Sequence, residues 1–93
     1  MTENHLKEII GFEETLKPGD ECRALWTNSG YSYQGPVRVV RVNEKSVRVA
    51  LLARVPGARS ENDGYPQGQE LVVPRFWDMR RWSAHNRLAP AGE

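Results

Sequence analysis

Apolar residues recur at every second position in two adjacent stretches of the chain. In the second, Val47, Val49, Leu51, Ala53 and Val55 alternate with Ser46, Arg48, Ala50, Leu52 and Arg54. Strand side chains point to opposite faces in turn, so this pattern predicts a strand with one buried face and one largely wet face. Its β-branched residues suit a pleated, half-buried surface. In the first stretch Val37, Val39, Val40 and Val42 are interleaved with Arg38 and Arg41. The doubled Val39-Val40 breaks the alternation, which predicts a bulge or a centre buried on both faces. Asn43, Glu44, Lys45 and Ser46 lie between the two runs and make a hairpin connection. Its arginines admit two readings: a basic stripe for an anion, or a solvated outer face that keeps the strands from pairing with other chains.

The rest of the chain arranges itself around this hairpin. Leu6, Ile9 and Ile10 predict a short amphipathic helix from Thr2 to Ile10 that stops at Gly11, with Phe12 and Leu16 adding apolar contacts. So short a helix is marginal alone and must dock on the body or on a partner. Lys17-Pro18-Gly19-Asp20 reads as a turn. Cys22, Ala24 and Trp26 then alternate with Arg23, Leu25 and Thr27 as a first strand, broken by Thr27-Asn28-Ser29-Gly30. Tyr31-Ser32-Tyr33 leads towards the hairpin, with Gly35-Pro36 fixing the approach to it.

Residues 56–69 are polar and rich in glycine and proline, which predicts a long exposed and mobile connection. Tyr65 lies there without core residues around it, marking it as an aromatic for a contact surface. Residues 70–73 read as a fourth strand ended by Pro74, and residues 75–84 as one or two helical turns. Residues 86–89 form a short last strand, and 91–93 a frayed tail. The fold expected is mainly β: a five-stranded SH3-like barrel over residues 17–90, with a helical segment over 1–16 and a helical turn before the last strand.

Composition narrows the functional classes. The 93 residues allow one domain with a modest core and little room for an elaborate active site. A net charge of +1 conceals an asymmetry. Residues 1–21 hold two basic and six acidic residues, whereas 22–93 hold eleven basic and six acidic ones. The body is mildly basic and its leading segment acidic, either to screen the body or to aid solubility. Cys22 is the single cysteine, so no intramolecular disulfide forms, and its apolar setting suits a buried thiol. The opening residues lack the basic start and apolar run of a signal peptide, and no apolar run is long enough to span a bilayer. A cytoplasmic protein without a membrane partner is the expectation.

The run Lys17-Pro18-Gly19-Asp20-Glu21-Cys22-Arg23-Ala24-Leu25-Trp26, followed by Gly30-Tyr31-Ser32-Tyr33-Gln34-Gly35, resembles the opening of Tudor-type SH3-like domains. Its Gly-Asp turn is also similar to that of KOW-type barrels of nucleic-acid and ribosome-associated proteins. The similarity covers roughly residues 17–55. The Tudor resemblance implies an aromatic cage that holds methylated lysine or arginine by cation–π contact, with Trp26 and Tyr33 near the first two cage positions. The chain departs from that pattern after the third strand. Leu51-Leu52-Ala53-Arg54-Val55-Pro56-Gly57 stands where those families carry aromatic and acidic residues.

The richest constellation is Arg75-Phe76-Trp77-Asp78-Met79-Arg80-Arg81-Trp82, followed by His85 and Arg87. Arginines supply fixed charge for phosphates and flat rings supply stacking platforms for bases. The same residue types dominate protein–protein interface energetics, and large rings also plug the open ends of small barrels. Ser83, His85 and Asp78 are common residue types with nothing to orient a base or bind an oxyanion, so no enzyme is expected. His5, His85 and Cys22 lack the paired spacing of a metal site, and Gly64-Tyr65-Pro66-Gln67-Gly68 lacks the lysine of a phosphate loop. No cofactor is implied. The reading is a non-enzymatic binding module whose partner surface comprises Trp26, Tyr31, Tyr33, Tyr65, Arg75, Trp77, Arg80, Arg81 and Arg87. A protein partner leads and nucleic acid is the alternative. A monomer or weak homodimer is expected.

Overall fold

A computed structural model describes residues 3–57 and 64–92. It contains a helix α1 (Glu3–Glu14) and five strands: β1 (Glu21–Asn28), β2 (Tyr31–Val42), β3 (Ser46–Leu51), β4 (Glu70–Pro74) and β5 (Arg87–Ala89). The strands form one antiparallel sheet in the order β4-β3-β2-β1-β5, which curls into a half-barrel of the SH3-like type. Its concave side holds the core, built from the alternating positions Cys22, Ala24 and Trp26 of β1, Val37 and Val39 of β2, and Val47, Val49 and Leu51 of β3. Val73 of β4 and Leu88 of β5 complete the wall, with Leu16 and Val55 at the margins.

The local chemistry follows the residues. Ser29 and Gly30 both take positive φ (52° and 82°), as a two-residue type I′ hairpin between β1 and β2 requires. Gly19 sits at φ 95° in the turn before β1, and Asp20 Oδ2 accepts a hydrogen bond from Lys17 N. The β2–β3 register slips between Val39 and Arg41, so Val40 is the extra residue of a bulge and its side chain is exposed. On the convex face Arg38 pairs with Glu21 and Arg48 with Glu70, each at 3.1 Å. The hairpin arginines at these two positions are therefore neutralised by neighbouring strands.

Three expectations are corrected. The helix does not stop at Gly11 but continues to Glu14. Gly11 has nothing near it on the solvent side, and Ile9, Glu13 and Leu16 are buried, so docking extends the helix past its weak residue. Thr15 closes it, donating through N and Oγ1 to Phe12 O. Gly35 and Pro36 lie inside β2, which begins at Tyr31, instead of before the strand. A Cβ on Gly35 would stand 2.7 Å from Val55 Cγ2, so the glycine is there for close packing. The strand begun at Ser46 ends at Leu51, and Val55 joins only an isolated bridge to Tyr65. As expected, residues 75–82 make two hydrogen-bonded turns: Asp78 N donates to Arg75 O, and Asp78 O accepts from Arg81 N and Trp82 N. The start of the helix at Thr2, residues 58–63 of the connection expected to be mobile, and Glu93 of the tail lie outside the described residues.

Candidate partner-binding surface

The aromatic and arginine segment between β4 and β5 is organised by one buried carboxylate. Ile9, Phe12, Glu13 and Leu16 share a stripe of α1 and its continuation, and Glu13 is 2% exposed. Its Oε1 accepts from Phe76 N (2.9 Å) and its Oε2 from Trp82 Nε1 (3.3 Å). Arg75 reaches the same carboxylate at 4.0 Å, while its Nη1 donates to Asn43 O (2.8 Å) and its Nη2 to Glu13 O (3.4 Å). Glu13 thus ties α1 to both ends of residues 75–82, and Arg75 carries the link on to the β2–β3 turn. Burial pushes the Glu13 carboxyl above its ordinary 4.5, and the Phe76 and Trp82 hydrogen bonds with the Arg75 and Arg87 charges pull against that rise.

The clamp sorts the rings of this segment. Trp82 packs edge-on against Phe76 at 5.2 Å, and Phe76 against Trp77 at 5.7 Å. Phe76 and Trp82 are half-buried, whereas Trp77 is 51% exposed and Met79 78% exposed. Arg80 and Arg81 flank them in solvent, Arg81 passing Asp78 at 3.9 Å. Among the described residues this is where an exposed ring, an exposed thioether and two exposed guanidinium groups adjoin.

A second cluster forms around Trp26. Tyr33 stacks on it at 5.9 Å, and Tyr65 meets the two edge-on at 5.2 and 5.1 Å. Tyr65 is therefore half-buried against the core instead of standing free in a polar connection. Two backbone bonds to Val55 (2.9 and 2.8 Å) and the Asn28 Nδ2 bond to its hydroxyl (2.8 Å) hold it. Trp26 itself is 7% exposed, and Tyr31 projects into solvent nearby on β2.

The nine expected contact residues thus fall into separate groups. Trp26, Tyr31, Tyr33 and Tyr65 gather near the β1–β2 turn. Arg75, Trp77, Arg80 and Arg81 gather near the β2–β3 turn, towards the other end of the twelve-residue β2. Arg75 and Arg87 are half-buried, Arg75 on Glu13 and Arg87 on β5 with Nη1 donating to Leu88 O (3.1 Å). Neither Glu13 nor Met79 is among the nine expected contact residues. An acidic residue inside the apolar stripe of α1 was the available signal for Glu13. Asp78, Ser83 and His85 do not assemble. Asp78 faces Arg81, and Ser83 Oγ accepts from the His85 backbone (3.2 Å). The His85 side chain instead lines a shallow pocket of about 220 Å³ with Leu25, Ser32, Tyr33 and Gln34.

Cys22 is buried, and desolvation together with the nearby Asp20 charge pushes its thiol up to about 11. Among the described residues no three His, Cys, Asp or Glu side chains gather as a metal site, and no helix is long and apolar enough to cross a membrane. Compared with protein-family models, curated proteins and solved structures, the chain matches none.

Proposed function

We propose that the chain is a non-enzymatic binding module that contacts a protein partner through Trp77, Met79, Arg80 and Arg81. One observation carries the reading: a half-exposed tryptophan and a largely exposed methionine stand on a segment whose two ends are fixed by the buried Glu13. A large ring displayed on an immobilised segment loses little conformational freedom on binding, which is how aromatic anchors gain affinity. Two adjacent arginines add orientation and steering.

Nucleic-acid binding is the weaker reading. Arg75 is engaged by Glu13 and the Asn43 carbonyl, Arg87 is half-buried, and Arg38 and Arg48 are ion-paired. The other exposed arginines among the described residues are Arg41, Arg54, Arg80 and Arg81, the last 3.9 Å from Asp78, a small footprint for a phosphate backbone. The Tudor and KOW resemblance is carried here at the level of the barrel. Trp26, Tyr33 and Tyr65 pack on one another at 5.1–5.9 Å, so their rings fill the space that a methylammonium cage would enclose. The reading also places the domain in the cytoplasm, where its lone buried thiol stays reduced.

The test is affinity capture on the purified chain from a lysate of its source, split into nuclease-treated and untreated halves. The reading expects one defined protein in both halves. Recovery of nucleic acid, with all protein lost after nuclease, overturns it in favour of the alternative.

A further inference from the structure

The open edge of β4 lies beside this surface, and its backbone polarity follows from the register. Ser46 pairs with Pro74 and Val47 with Val73. At the two ends of the β3–β4 ladder, Leu51 N donates to Gln69 O and Arg75 N to Lys45 O. Hydrogen-bonded pairs alternate along an antiparallel ladder, so Leu71 and Val73 direct their N–H and C=O groups towards β3. Glu70, Val72 and Pro74 direct theirs away from it. β4 ends the sheet order, so among the described residues no strand is hydrogen-bonded to that side, although β5 comes within 8 Å of β4. Pro74 has no N–H, which leaves Glu70 and Val72 as the outward donors, with three outward carbonyls.

The side chains around that edge are matched to a particular occupant. Val72 is 57% exposed. A pocket of about 200 Å³ opens beside it, lined by Ser46, Val72, Pro74, Asp78, Arg81 and Asn86. Within this surface Glu70 is already paired with Arg48 and Asp78 is three-quarters covered, whereas Arg81 is 79% exposed and Arg80 stands beside it. Arg81 lies 3.9 Å from Asp78, so Arg48, Arg80 and Arg81 stand against Glu70 and Asp78 and the rim keeps a net single positive charge, centred on Arg80.

Building on the partner surface proposed above, we infer that the β4 edge receives an extended acidic peptide segment of that partner as an added strand. The peptide backbone pairs with the outward groups of Glu70, Val72 and Pro74. A short apolar side chain packs on Val72 and Pro74 at the mouth of the pocket, whose other walls are polar, and flanking carboxylates meet Arg80 and Arg81. Main-chain bonds supply affinity in this mode of recognition, and alternate side chains supply selectivity.

The test pans a phage-displayed library of random nine-residue peptides against the full chain, then measures the best peptide by fluorescence anisotropy and by amide hydrogen exchange. The inference expects an apolar residue flanked by acidic ones at alternate positions, with the Glu70 and Val72 amides protected only in the complex. Val72→Pro removes an outward donor without touching a β3–β4 bond, and is expected to weaken binding about fivefold. Arg80→Glu with Arg81→Glu is expected to weaken it further and flatten its salt dependence. Should Val72→Pro unfold, the exchange measurement on the unaltered chain decides. Absence of any enriched peptide, an enriched peptide lacking acidic residues, or binding that leaves the Glu70 and Val72 amides unprotected overturns the inference. So does concentration-dependent pairing of two chains along β4. Peptide binding that survives Val72→Pro but fails in Trp77→Ala would overturn the edge and leave the partner surface standing. Binding indifferent to both changes would overturn both.

Discussion

Glu13 concentrates more consequences than any other single side chain described. Removing it leaves the Phe76 amide and the Trp82 indole N–H without their acceptor, and deprives Arg75, which keeps its bonds to the Asn43 and Glu13 carbonyls, of its countercharge in a largely buried site. Glu13→Ala is therefore expected to cost about 3–5 kcal/mol, read by chemical denaturation. Glu13 also gives stability a pH dependence of defined sign. Its folded value lies above the ordinary 4.5, so the folded chain binds more protons than the unfolded chain between those two values. The contribution of Glu13 is largest below 4.5 and declines as pH rises through its folded value. Melting curves of the natural chain and Glu13→Gln should show their difference shifting in favour of Gln as pH rises across that window. An unchanged difference would mean that the hydrogen bonds and arginine charges fully offset burial. Cys22 yields a simpler outcome: a buried thiol pushed up to about 11 should resist alkylation at pH 8 while the chain is folded and react fully in denaturant.

At the scale of elements, two glycines set how closely the strands approach what covers them. A Cβ at Gly64 would lie 2.3 Å from the Val55 carbonyl oxygen, and one at Gly35 2.7 Å from the Val55 methyl. Each alanine substitution should destabilise by about 1–3 kcal/mol through overpacking, measured by thermal melting. Gly64→Ala should in addition loosen the Val55–Tyr65 bridge and raise exchange at those two amides. The strands were legible in the sequence because a half-buried sheet writes its burial into alternation. Cys22-Ala24-Trp26 and Val47-Val49-Leu51 were read on the correct face, and of the two alternatives for Val39-Val40, a bulge or a centre buried on both faces, the register shift selects the bulge. The helix end was misread because Gly11 is a stop only where nothing rewards continuing, and the reward, burial of Glu13 and Leu16, is tertiary. The role of Gly35 was hidden for the same reason, since its neighbour Val55 lies twenty residues further along the chain.

Across the whole molecule, the two aromatic groups that the sequence suggests as one surface serve different ends of the sheet. Trp26, Tyr33 and Tyr65 close a core, while Trp77 and Met79 stay outside it. Composition revealed that residues 75–87 were rich in rings and arginines. It could not divide them, because that division depends on which ring reaches a carboxylate more than sixty residues away. Trp82 does, and Trp77 does not. The central claim is that the ring left over is the contact ring. The most direct measurement is the affinity of the captured protein partner for the natural chain and for Trp77→Ala, with a melting curve for each. The account expects a loss of at least about thirtyfold, as for an anchor residue worth roughly 2 kcal/mol, with the melting temperature nearly unchanged. Undiminished affinity in a folded Trp77→Ala chain would contradict it, and a chain that unfolds would show that Trp77 belongs to the core after all.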